Sequence, residues 1–512
     1  MKKLFILAVC ALAPASASAE QWQILGTRPM GMGGAFVAVA QGPIAQYWNP
    51  GGLVKSSANV SGVEIPVGAN AEFTGDIVKN ASQIGDMAKE FSAIQAAQKT
   101  GAKASADEIG AFVKTLALMG DMNKPGKGAL AEVAGGVDFK FSKVAVSVNN
   151  FTSLGLNPVI DVKNIGLDTI SGTPGSGLTF SGTVTAPVDS DNAAAATKIA
   201  AAISNTDFAN ISMLICNAGA CPGIANQTQL ANALVNQAVL NSVSKADIAA
   251  AAANIAGNIT AASPIIAAAA AGDSYTNNTS ALNIVGASFT EIAAGYAWNV
   301  DKWLSGLSIG GNVKMINGQT VVNNFQFLSE SKTSDAFKLD NPKSSWRPAL
   351  DVGALWDVNA KYPKLPLHPK VGLVVRNINS PSFDTTNGPK YDLDRQARIG
   401  FALNPAKFWT LALDMDVTKN KTQVKGFDSR ELSVGTEINI VNRKAFNIPL
   451  RAGLIKNMAE KSSKMAYTAG TGLNLLFMHF DVSALLSSER TTIDDKSIPT
   501  KLGVAASFGL LF

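Results

Sequence analysis

The chain has 512 residues, 47% of them apolar and 16% charged, with a formal net charge of +5. Beyond the amino terminus, no run of eighteen apolar residues is free of charges or turn signals, which argues against helical membrane spans. The charge is weak and scattered, which argues against a nucleic-acid partner.

Residues 1–19 read as a secretory signal peptide. Lys2 and Lys3 form the basic start, Leu4 to Leu12 the apolar stretch, and Ala17-Ser18-Ala19 the cleavage site. Glu20 is then the expected first mature residue. Val9 stands before Cys10 where a lipoprotein signal needs a small residue, so lipidation is not expected. The expected location is the bacterial outer membrane.

Residues 20–57 are glycine-rich and apolar but do not alternate long enough to form a wall strand. Gly31, Gly33 and Gly34 allow tight turns and close packing. Such a segment, set beside a polar lumen, is expected to fold inside it as a plug.

From residue 58 onward, short stretches alternate with a period of two. Val133, Val137 and Phe139 interleave with Glu132, Asp138 and Lys140, and Leu411, Leu413 and Met415 with Thr410, Asp414 and Asp416. The last twelve residues, KLGVAASFGLLF, repeat the pattern and end on Phe512. Period two means a strand with two unlike faces. An apolar face alternating with a charged or small one fits lipid outside and a polar lumen inside. About fourteen strands are expected, near 58–73, 129–141, 143–154, 281–299, 303–318, 346–358, 369–379, 393–403, 408–418, 431–441, 448–457, 465–476, 478–489 and 501–512. The fold class is therefore an all-β transmembrane, antiparallel β-barrel. An even strand count closes it, and long connections alternate with short ones, as in barrels with long extracellular loops and short periplasmic turns. Trp298, Trp303, Trp346, Trp356, Phe408, Trp409 and Phe477 lie near strand ends, where they form either interfacial girdles or ordinary packing.

Two long connections, near 74–128 and 155–280, carry helical spacing, including Ile109, Phe112, Val113 and Leu116. They are expected as extracellular helical insertions that either dock ligands or decorate the surface. Cys216 and Cys221 are expected to form a small disulfide in an oxidising compartment. With two histidines in the chain and neither near these cysteines in sequence, no metal site or cofactor is expected.

No catalytic constellation is expected. Gly306-Leu307-Ser308-Ile309-Gly310 matches G-x-S-x-G in letters, but Ser308 sits inside an alternating strand, not on a nucleophile elbow. His479 with Asp481, and Asp414 with Asp416, share strand faces. Both pairs are read as lumen polarity, the second as part of a salt-bridge network with Arg398 and Arg451.

Gly31-Met32-Gly33-Gly34-Ala35-Phe36-Val37, followed by Tyr47-Trp48-Asn49-Pro50-Gly51-Gly52-Leu53, resembles the opening of the long-chain fatty-acid transporter (FadL) superfamily. PorV-like barrels and conjugal-transfer TraF barrels share this opening. Gly51 stands where the N-P-A-G-L-like motif has alanine. The resemblance implies a hatch in a fourteen-stranded barrel, with Gly31, Gly33, Gly34, Asn49 and Pro50 as its motif. It implies passive uptake of a hydrophobic small-molecule ligand, with a lateral or periplasmic exit. The alternative is a structural barrel with envelope protein partners in conjugal transfer or secretion. In either case the barrel contacts outer-membrane lipid and lipopolysaccharide.

Overall fold

The computed structural model describes residues 20–54, 61–75, 77, 106–162, 164, 183–215, 223–270, 278–326, 342–386, 390–443, 446–493 and 496–512. Cys216 and Cys221 lie outside the described residues, as do residues 1–19.

Fourteen antiparallel strands close into one barrel. They are β1 Gly62–Thr74, β2 Gly128–Phe141, β3 Val144–Val159, β4 Ala281–Asn299, β5 Leu307–Gln326, β6 Lys343–Asp357 and β7 Lys370–Arg376. They continue as β8 Gln396–Ala406, β9 Trp409–Asp416, β10 Glu431–Arg443, β11 Phe446–Asn457, β12 Ala466–Leu475, β13 Met478–Ser487 and β14 Lys501–Leu511. The barrel closes where β1 pairs with β14, Val63 opposite Leu510 and Glu72 opposite Lys501. All fourteen expected strands are present. The main difference is length: β3 and β5 run on to Val159 and Gln326, several residues past the alternating core that marks them in sequence.

The alternation sorts the side chains. On β2, Val133, Val137 and Phe139 are exposed on the outer wall, while Glu132, Asp138 and Lys140 are buried inside. On β14, Leu502, Val504, Phe508 and Leu510 face outward. This outward apolar band is the surface offered to a bilayer. Near the strand ends, Trp298, Trp303, Trp346, Phe408 and Phe477 are exposed rather than packed, which fits interfacial girdles.

One end of the barrel carries two-residue turns such as 142–143, 407–408 and 476–477, and the other carries the long connections. At the long-loop end, five helices share a separate apolar core. They are α3 Ala106–Met122, α4 Ser190–Ala202, α5 Asn205–Ile215, α6 Gln227–Leu240 and α7 Lys245–Ala270. Asp189 caps α4 by accepting from Asp191 N and Asn192 N, and Asn226 caps α6 by accepting from Gln229 N. Helix α7 is long and apolar enough to cross a membrane. Instead, Ile248, Ala252, Ile255 and Ile259 pack with Phe112, Val113 and Leu116 of α3 in this core. At Gly110 of α3, a Cβ would sit 3.1 Å from Ala251 O, so the two helices approach closely.

The wall is uneven at one place. β6 pairs with β5 from Lys343 to Trp356, but β7 meets only Val352–Asp357. Beyond Arg376 the chain turns away at Asn377 (φ 51°). From there β6 is held by Ile378 N donating to Leu350 O at 2.9 Å, by the Asn379 side chain, bonded to Leu350 N and Pro348 O, by Asn377 N donating to Asp351 Oδ1 at 2.9 Å, and by Arg347 Nε donating to Ser382 O at 2.8 Å.

Candidate functional site

Residues 20–54 lie inside the barrel and form two short helices, α1 Thr27–Gly31 and α2 Ala45–Trp48, and a 3₁₀ turn, Pro50–Val54. The segment has an aromatic centre. Trp48 meets Phe36 and Tyr47 edge-on and lies tilted against Trp22, at centroid distances of 5.6–6.0 Å. Trp48 Nε1 donates to Leu25 O and Tyr47 OH to Gln23 O, so the polar tips of these rings are satisfied within the segment.

Wall glycines receive it. Gly310 and Gly353 are cross-strand partners, as are Gly372 and Gly400, and Gly435 and Gly453. A side chain at any of them would strike the segment. A Cβ on Gly372 would lie 2.6 Å from Val37 O, and one on Gly310, Gly435 or Gly453 would collide with backbone of Pro50, Met32 or Gly33. From β5 to β11 the inner wall is thus a glycine belt on which the segment lies backbone to backbone. On β9, which lacks such a glycine, Asp414 takes over. Its Oδ2 accepts from Phe36 N at 2.7 Å and Val37 N at 2.8 Å. Hydrogen bonds to a charged acceptor are worth about 1.5–3 kcal/mol each.

The motif residues occupy this contact surface. Asn49 is fully buried: its Nδ2 donates to Val37 O and Ala354 O, both at 3.0 Å, and its Oδ1 accepts from Gly51 N. Pro50 rests on Gly353. Gly31 packs against Gly470, and its carbonyl accepts from Thr468 Oγ1. Gly33 (φ 66°) and Gly34 (φ 82°) form the turn that follows, a conformation that favours glycine.

Charges pin both flanks. Arg28 makes a two-pronged contact with Glu437, at 2.8 and 2.9 Å, and Arg451 bonds the same Glu437 and Asp481. Arg398 is fully buried between Asp416 and Glu431, beneath Trp22 and Trp48. Of the network read from sequence, Arg398 pairs with Asp416. Asp414 instead binds backbone amides, and Arg451 takes Glu437 and Asp481. Asp481 is therefore committed to Arg451 and not to His479, whose ring lies across Gly509. Ser308 is buried in β5, its hydroxyl 2.8 Å from Gly51 O, where it ties the wall to the segment.

On the short-turn side, a cavity of about 260 Å³ separates the segment from β10–β13, lined by Arg28, Gln41, Asn439, Asn474 and His479 among others. On the other side, two hairpins fold inward. In the first, built on Ser382–Phe383 and Tyr391–Asp392, Phe383 packs on Phe289 over Gly318. In the second, built on Asn420–Lys421 and Asp428–Ser429, Val424 packs on Leu130, and Gln423 Nε2 bonds Glu20 Oε1, Ser153 and Tyr391. Gln396 bonds the Glu20 carbonyl. Burial pushes the Glu20 carboxyl up to about 7, opposed by hydrogen bonds from Ser153, Gln423 and Gln23. An α-ammonium created at Glu20 by cleavage after Ala19 would pull it back down.

The family model described as "F plasmid transfer operon, TraF, protein" matches residues 46–416, which include Asn49, the glycine belt through Gly400 and Asp414. The chain belongs to this TraF family. No curated protein matches the sequence. Among solved structures, the Pseudomonas putida toluene transporter TodX is similar at 10% identity and a TM-score of 0.42, over 97% of this chain and 100% of that chain. The CymD monoaromatic hydrocarbon channel is similar at 10% identity and 0.41, over 96% and 99%. A Pseudomonas aeruginosa FadL homologue is similar at 8% identity and 0.38, over 97% and 99%. Likeness at this level carries nothing about substrate.

The glycine belt was not foreseen from the sequence, although Gly310, Gly353, Gly372, Gly400, Gly435 and Gly453 interrupt alternating strands on the lumen face. Glycine inside a strand often marks close approach of another backbone. Arg28 gives a direct test of docking. Arg28→Ala leaves Glu437 paired with Arg451, so the expected cost is about 1–3 kcal/mol of segment docking. Chymotrypsin should then cut within residues 20–54 faster than in wild type, with the barrel intact. An unchanged cutting rate would show that the pair contributes nothing.

Proposed function

We propose that this chain is an outer-membrane barrel for passive uptake of hydrophobic small molecules, of the fatty-acid or aromatic-hydrocarbon kind, with residues 20–54 as its hatch. The observation that carries this reading is the interrupted wall beside a filled lumen. Segment 20–54 and the two inward hairpins obstruct a straight passage. Along Lys343–Asp351, however, β6 is held on one side by one backbone hydrogen bond and by the side chains of Asn379, Asp351 and Arg347 instead of a full ladder. A ligand entering from the long-loop end would leave sideways there into lipid, which suits apolar molecules and not hydrophilic ones. The expected result is slower uptake of labelled fatty acids or toluene-class compounds by cells lacking the gene. Asn379→Ala, which loosens this join, should change the uptake rate without unfolding the barrel. Unchanged uptake of every compound after deletion would overturn the reading.

The family match favours a second reading, a structural barrel associated with conjugal transfer. Its partners would be envelope proteins, and the helices with their own core at the long-loop end offer a docking surface. Purification from mildly solubilised outer membrane separates the two. Stable protein partners support scaffolding, and a lone barrel with bound lipid or ligand supports uptake.

A further inference from the structure

At the long-loop end, several cations are paired with acids, Lys127 with Asp121, Lys245 with Asp189, Lys419 with Asp428 and Arg347 with Asp384, while Lys425, Lys461, Lys464 and Arg490 are exposed and form no ion pair among the described residues. At the short-turn end, five successive turns each present a cation. Lys143 follows β2, Lys302 follows β4, Lys361 and Lys364 follow β6, Lys407 follows β8, and Arg443 ends β10. All six are exposed. Among the described residues none of them forms an ion pair, and the turns at this end hold only two carboxylate side chains, Asp301 and Asp357. One oxygen of Asp301 accepts from Gly306 N.

The aromatic side chains at the same level show where this ring sits. Trp303 is 75% exposed, Phe477 53% and Phe408 48%. Trp298 points outward and stacks on Tyr296. Lys361 Nζ lies 5.5 Å from the Tyr362 ring centre. Exposed tryptophan and tyrosine on the outer wall of a barrel mark the membrane–water interface. The cations sit beside interfacial rings over five successive turns, from β2–β3 to β10–β11, while the β12–β13 turn, Leu476-Phe477, carries an aromatic ring and no cation.

We propose that this ring is a binding surface for anionic phospholipid headgroups in the leaflet that meets the short-turn end. The proposal rests on the membrane placement given above. Five of the turns offer one or two exposed cations just beyond the apolar band, at the depth of lipid phosphates. A continuous lipid surface fits charges spread over five successive turns better than a compact acidic protein does.

The full-length protein is reconstituted into phosphatidylcholine vesicles, and the motional restriction of spin-labelled phosphatidylglycerol is compared with that of spin-labelled phosphatidylcholine. A cation near a charged lipid surface contributes roughly 1 kcal/mol, so wild type should prefer the anionic lipid about fivefold per site. The variant carrying Lys143→Gln, Lys302→Gln, Lys361→Gln, Lys364→Gln, Lys407→Gln and Arg443→Gln should lose that preference. A control with Lys425→Gln, Lys461→Gln, Lys464→Gln and Arg490→Gln at the other end should keep it. Millimolar inorganic phosphate should not compete, because the surface reads a charged membrane and not a free ion. The proposal is overturned if wild type shows no preference, if the control loses it equally, or if phosphate abolishes it. No preference in wild type would leave an acidic protein partner as the occupant. Heat-modifiable migration after reconstitution checks barrel insertion separately, so failure of the membrane reading is distinguishable from failure of the lipid preference.

Discussion

Gly310→Val and Gly435→Val, alone and together, should turn a closed barrel into a conducting one. Each new side chain would occupy space held by backbone, Pro50 in one case and Met32 in the other. Overpacking of this kind typically costs about 1–3 kcal/mol per site. The two sites lie on β5 and β10 and touch different parts of residues 20–54, so their effects should add. The wall itself is fixed by its strand ladder, and the segment is the part free to yield. Planar-bilayer recordings should show few or no large steady openings for wild type and frequent ones for the double variant. Gly257→Ala in α7, with nothing within 4 Å of the added carbon, should behave as wild type. A double variant that stays folded and silent would show that the segment does not seal the lumen.

Asn49→Ala should release the same segment by the opposite route, through loss of contacts. Asn49 holds three partners at once: Val37 within the segment, Ala354 on the wall and Gly51 in its own turn. Truncation removes all three bonds and takes this partner from the buried Val37 carbonyl and Gly51 amide. Each such loss costs about 1–3 kcal/mol. Asn49→Asp should be at least as damaging, since a carboxylate cannot donate and would face two carbonyl oxygens. The expected result is rapid chymotryptic cleavage at Trp22, Phe36, Tyr47 or Trp48, with the barrel still migrating as folded. Slow, wild-type-like cleavage of both variants would mean that Asn49 does not hold the segment in place.

The barrel was readable from the sequence because alternation is local. Val133 to Lys140 and Leu502 to Phe512 each declare an outer and an inner face within a few residues. The turn lengths gave the parity of the connections for the same reason. In helix α7, Asn254, Asn258 and Pro264 break the apolar run, and the stretch forms one helix of 26 residues whose apolar face packs on α3.

The lumen was legible only in outline. Asp414 and Asp416 stand two residues apart on one face, so local sequence gives them the same role. The fold separates them: Asp416 meets Arg398, and Asp414 meets the amides of Phe36 and Val37, 378 and 377 residues away in sequence. The two inward hairpins read as ordinary outer loops because nothing local tells Phe383 that Gly318 leaves room for its ring, or Gln423 that Glu20 awaits it.

By itself, the sequence determined a closed even-stranded barrel with a glycine-rich leading segment, since period, turn length and composition act over a few residues. The tertiary structure alone decided that the segment packs against six wall glycines, that β6 lacks a full ladder on its β7 side, and that exposed cations line five successive turns at one rim. Each of these depends on what distant parts of the chain place opposite one another, and a glycine or a lysine carries no mark of its partner.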